Sequence, residues 1–141
     1  FQWDGAIIHL VSGMLDGREG AMRGRYVDAT IMAIQMAPGN ECSIPVDPAH
    51  TVFIYGLEGA FFLSPESREP VYPARQAIIL ELGNTVYIRA ADDNPVHCIL
   101  CAAQPLQEEI AWGGPIVMNT KAELDHAFNE LERGTFIKHA M

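Results

Sequence analysis

The sequence predicts an all-β domain, a sandwich or barrel of short strands, followed by one C-terminal α-helix. Three observations predict it. Runs rich in β-branched and aromatic residues recur along most of the chain. Gly, Pro, Asn and Asp punctuate the gaps between them. The 3.6-residue apolar period of a helix appears only near the end.

The strands are read in chain order. "AIIHLVSG" (6–13) is one, ended by Gly13. "YVDATIMAIQMA" (26–37) is longer and partly alternating, with the turn "PGNE" after it. "TVFIYGLEGAFFLS" (51–64) is broken by Gly56 and Gly59 into two strands, with "GLEG" as a hairpin turn. "QAIILEL" (76–82), "TVYIRAA" (85–91) and "VHCILCAA" (96–103) follow, spaced by "SPESREPVYP", "LGN" and "DDNP". The strand region spans about 6–112.

The helix is expected over about 121–133. Thr120 with Glu123 three residues on forms a capping box, in which each side chain satisfies a free backbone N–H of the first turn. Leu124, Ala127, Phe128 and Leu131 place an apolar stripe on one face. Gly134 suits the left-handed stop. The stripe needs a surface to cover, either the domain's own strands or a neighbouring domain or subunit.

Bulk properties bound the function. The 141 residues are one domain's worth, 1–141, and can bury a real core. Nine Lys and Arg stand against 18 Asp and Glu, for a net charge of −9. Nucleic acid needs a basic stripe to neutralise phosphates, and an anionic membrane needs a basic face. Neither partner is expected. No apolar run is long enough to cross a bilayer, and no secretory leader is seen. The chain opens at Phe1 without Met, which leaves room for residues upstream. Three cysteines, an odd number, read as reduced thiols and a cytoplasmic protein.

"GGPIVMNTKAEL…AF…L..GTF" resembles the closing signature of the pirin family, with Ile116 where an aromatic residue is usual. "HLVSG", "MAPGNECSIPVDPAHTVFIYGLEGAFFL" and "LCAAQPLQEEIAWGGP" resemble other segments of that family, so the likeness runs from about 6 to 136. Pirins are similar to two-domain cupins, and what matches here is the second domain. The resemblance implies a cupin-type jelly-roll. It places the family's iron, and quercetin 2,3-dioxygenase activity, in a first barrel with no counterpart in this chain.

The cupin ligand pattern can be laid on the residues. Metal-holding cupins use two His and one Glu from one motif and a third His from a second, all pointing into the mouth from alternate strand positions. Counted from Gly39 to Gly59, the first motif's ligand slots fall on Pro45, Asp47 and Val52. Counted from Gly83, the second motif falls on Arg89, Ala91, Asn94 and Cys98, with Asn94 in the His slot. Pro45, Asp47, Val52 and Asn94 are thus read as vacant slots lining the mouth. No metal or other cofactor is expected, with iron as the alternative. Asp47, His50 and His97, with Glu58 nearby, form the fallback metal set.

Other constellations point to structure. Cys98 and Cys101 lie three apart on a strand and face opposite ways, so they are read as inert thiols. Cys42 is read as a turn residue and the most exposed thiol. Ser12, Ser43, Ser64 and Ser67 lack a nucleophile elbow. Glu108 and Glu109 are neighbours that face apart, and His9 and His126 read as surface or structural residues.

The expected function is a metal-free pirin-like cupin module that acts in protein association, small-ligand binding or support of a catalytic barrel. The alternative is a quercetin 2,3-dioxygenase-like oxygenase. Enzymatic activity is left open. Trp112, Ile116, Met118 and Phe136, with Trp3, are the expected association surface, and the expected partner is a second copy in a homodimer or a partner cupin domain.

Overall fold

A computed structural model describes residues 1–24 and 26–138. The chain divides into two compact units, Phe1–Pro105 and Leu106–Met141.

The first unit is an antiparallel sandwich. Its larger sheet has six strands in the order β1 (Gln2–Trp3), β2 (Ala6–Ser12), β5 (Thr30–Met36), β12 (Val96–Ala103), β7 (Thr51–Glu58) and β10 (Ala77–Ile79). The facing sheet has four, in the order β6 (Glu41–Pro45), β11 (Thr85–Ala90), β8 (Ala60–Phe62) and β9 (Tyr72–Pro73). A short ribbon, β3 (Met14–Leu15) with β4 (Arg18–Glu19), stands apart. The sheets stay open at their edges, so the architecture is a jelly-roll sandwich and not a closed barrel.

The period-2 alternation of each strand decides the core. On β12, Val96, Cys98, Leu100 and Ala102 are buried, while the residues between them are half-buried on the other side. On β7, Val52, Ile54 and Gly56 turn inward. Ile8, Met32, Ile34, Ile44, Phe61 and Ile88 meet them, each at most 1% exposed. Burying each such side chain contributes about 1.5–3 kcal/mol.

"GLEG" is not a hairpin turn: Gly56, Leu57 and Glu58 continue β7, and Gly59 turns the chain from one sheet to the other. Gly59 has φ +74°, and a Cβ there would lie 2.1 Å from the Pro95 carbonyl oxygen, so only glycine fits this corner. "ECSIP", which follows the expected turn, forms the strand β6. The strand at 26–37 begins only at Thr30, and that at 76–82 shrinks to Ala77–Ile79.

The second unit is a hairpin with a helix on it. β13 (Ala111–Gly113) pairs with β14 (Ile116–Met118), and α1 (Lys121–Glu132) contacts both strands. Gly113 receives the helix: a Cβ there would lie 2.8 Å from the Phe128 ring and 3.2 Å from Leu124. Ala127 is buried on the same stripe. The stripe therefore covers the hairpin of its own unit. The Thr120 hydroxyl accepts the Glu123 N–H at 3.2 Å, and the Glu123 carboxylate accepts the Thr120 N–H at 2.9 Å. The bonds that this carboxylate accepts from the Thr120 backbone N–H and hydroxyl hold it below its ordinary range.

Candidate functional site

A jelly-roll holds a ligand between its sheets, so the inward positions of β6, β7, β11 and β12 define the candidate site. On β6 these are Cys42 and Ile44. On β11 they are Val86, Ile88 and Ala90. Every inward side chain on these four strands is a hydrocarbon, a hydrogen or a thiol.

The predicted slots land elsewhere. Pro45 is exposed at the end of β6, one residue past the inward Ile44. Asp47 is exposed and bent into its own turn, where its carboxylate accepts the Ala49 N–H at 2.8 Å. Asn94 is exposed in the loop before β12. Only Val52 is buried and faces the other sheet. Arg89 faces outward and reaches the Asp92 carboxylate at 3.0 Å. The physical cause is register: an offset of one residue on a strand carries every side chain to the opposite face.

The fallback metal set is not assembled. His97 sits opposite Glu58 on β7 and Gln35 on β5. His50 precedes Thr51 at the other end of β7, so the strand separates the two imidazoles by more than about 20 Å. Asp47 stays with His50, whose backbone N–H donates to the Asp47 backbone carbonyl at 3.0 Å. Among the described residues, no three His, Cys, Asp or Glu side chains cluster as metal ligands do.

Cys42 is buried on β6, not an exposed turn thiol. Burial, and then the nearby Asp4 carboxylate, pushes its pKa up to about 12. Burial, and then Cys42 itself, does the same to Cys98. At neutral pH both are protonated, apolar core residues. Cys101, on the other face of β12, is half-buried and its pKa is raised by burial.

Sequence reasoning missed a depression of about 450 Å³ at one end of the six-stranded sheet. Gln2, Gln35, Asn40, Glu58 and His97 bring polar groups to it, over Ile7, Met36 and Val96. A bulge sits beside it, where Leu57 is extra between the Glu58–His97 and Gly56–Cys98 pairs. The amides gave no motif because they meet only across strands.

The expected association residues are divided. Trp112 is 75% exposed, and its indole N–H donates to the Gly114 carbonyl at 2.6 Å. Met118 is half-buried and Phe136 exposed. Ile116 is buried and offers no surface. Trp3 packs against the sandwich core and donates its indole N–H to the Ser43 carbonyl at 2.9 Å, so it serves its own fold.

The Pirin C-terminal cupin domain family matches residues 31–137. The chain belongs to the pirin family. It is 27% identical to pirin of Homo sapiens, over 88% of this chain and 42% of that protein. It is 30% identical to a Thermoplasma acidophilum protein provisionally named quercetin 2,3-dioxygenase, over 94% of this chain and 51% of the other. A quercetin 2,3-dioxygenase structure from Acinetobacter baumannii superposes with a TM-score of 0.83 at 26% identity, covering 94% of this chain and 44% of that one. The chain thus spans about half the length of the relatives it matches. As a pirin module it has a sandwich interior that does not fit iron, because its inward positions on β6, β7, β11 and β12 offer the Cys42 and Cys98 thiols and none of the imidazole and carboxylate donors such an ion needs.

Proposed function

We propose that this chain is a metal-free pirin-type cupin module that works through its surfaces: by association with a second cupin domain, as its own copy or as a catalytic barrel it supports, and by holding a small ligand. The observation that carries the reading is the inward set on β6, β7, β11 and β12, which offers an ion only Cys42 and Cys98. Outer-shell hydrogen bonds tune a metal but cannot replace absent ligands. The acidic balance of 18 carboxylates against nine cations speaks against nucleic-acid or membrane partners, and the three cysteines, read as reduced thiols, support a cytoplasmic protein.

The second reading is a quercetin 2,3-dioxygenase-like function, favoured by the names of the similar proteins. The chain spans about half of each of them, so under this reading the chemistry sits at an atypical site in this barrel, which turnover by the chain itself would reveal, or in a barrel outside these residues.

The test is flavonol turnover by the purified chain in air, after incubation with ferrous, nickel or manganous ions. No turnover above the free-metal control is expected. Turnover that saturates with one metal per chain would establish the second reading.

A further inference from the structure

An antiparallel sheet with one face in the core ordinarily turns a polar face to water. The six-stranded sheet departs from this: its outward polar residues are His9 on β2 and, towards the strand ends, Gln35, Thr51, Glu58 and His97. Its strands carry one carboxylate, Glu58, and no Lys or Arg. On its outer side β7 presents Phe53, Tyr55 and Leu57, each 37–39% exposed, and β10 presents Ile79 at 76%. β12 adds Ile99 and Cys101, both half-buried.

We propose that this outer face is the surface on which a second copy of the chain docks, face to face, about a twofold axis running along β12. The inference deepens the association reading above by naming its surface and its partner. It does not depend on whether the interior holds a metal.

Three features select a second copy. The first is charge. Two chains of net charge −9 repel, and of the 18 carboxylates only Glu58 lies on these strands, at their end. Meeting by this face keeps the others apart. The second is shape. Register places Phe53 and Ile31 on either side of Cys101, and Tyr55 and Ala33 on either side of Ile99. β7 is thus the bulky row, and β5, which presents Ile31, Ala33 and Gln35 on the other side of β12, is shallow at Ala33. A twofold axis along β12 lays Tyr55 over the partner's shallow β5 row at Ala33 and brings Ile99 to its own copy, an isologous fit. The third is area. The four long strands, seven or eight residues each, and the three residues of β10, at a spacing of about 4.8 Å, give about 500 Å² of flat face before side-chain relief is added. That approaches the roughly 600 Å² per partner at the lower end of specific interfaces.

The test is light scattering of the whole chain across a dilution series. A dimer is expected, and Phe53→Glu with Tyr55→Glu should weaken it at least about tenfold, since each copy buries both changes. Trp112→Glu, in the second unit, should leave it unchanged. Circular dichroism checks that the variants fold. A second readout needs no variant: N-ethylmaleimide should label Cys101 in dilute protein and much more slowly where the dimer forms, while Cys42 and Cys98 stay unreacted throughout. Three results would overturn the proposal: a monomer at every concentration, a dimer indifferent to Phe53 and Tyr55 but lost with Trp112→Glu, or Cys101 labelling that ignores concentration. None of them would bear on metal content, which is measured separately.

Discussion

His97 stands directly across from Glu58 on the β12–β7 ladder, and the whole of β7 lies between it and His50. The two imidazoles belong to opposite ends of one sheet. A metal that bridged them would have to break that ladder. His97→Ala and His50→Ala, singly or together, are therefore expected to leave metal retention unchanged and stability within about 0.5 kcal/mol, as at ordinary surface sites. Loss of a bound ion in either variant, read by mass spectrometry under native conditions, would contradict this.

The turn from β7 into β8 predicts a contrast between two glycines. Gly59 combines a left-handed φ of +74° with a Pro95 carbonyl oxygen that would stand 2.1 Å from any added methyl group. Gly17 has φ +73° and nothing within 4 Å. Gly17→Ala should cost only the left-handed backbone term, about 1–2 kcal/mol. Gly59→Ala adds a backbone collision and should cost about 2–4 kcal/mol. Urea midpoints of the two variants give the comparison.

The helix cap should be visible in acid. Thr120 accepts the Glu123 N–H, and Glu123 returns the bond to the Thr120 N–H. Thr120→Ala should cost about 1 kcal/mol of stability in the second unit. The Glu123 carboxyl is held below its ordinary range by the bonds it accepts from the Thr120 backbone N–H and hydroxyl. A depressed carboxyl contributes above its unfolded pKa, and the contribution is lost as pH falls through its folded one. Helical circular dichroism should therefore drop below the ordinary carboxylate range in the native chain. In Glu123→Gln it should start lower and lose less over the same interval.

What was legible in the sequence depended on local pattern. β12 coincides with "VHCILCAA", because a run of eight residues, seven of them apolar, that follows the turn residues "DDNP" is the right length for a buried strand. The capping box at Thr120 needs only four consecutive residues, and it formed as read. β6 was missed because "ECSIP" is short and runs into "VDP", where prolines suggest a loop. That miss carried into the site: with no strand there, nothing fixed which residues faced inward. Counting from Gly39 then fell on Pro45, one residue past Ile44. Cys42 was misplaced for the same reason. The depression at Gln2, Gln35, Asn40, Glu58 and His97 joins residues far apart in the chain, so only the cross-strand pairing brings it out.

The most direct test of the central claim is elemental analysis of the chain purified from cells grown with added iron, nickel and manganese, without chelator. An interior lined by hydrocarbon and two protonated thiols predicts well under one equivalent of any transition metal, with the little that is found removed by brief dialysis. A full equivalent that survives dialysis and is lost on replacing Cys42 or Cys98 would contradict the account.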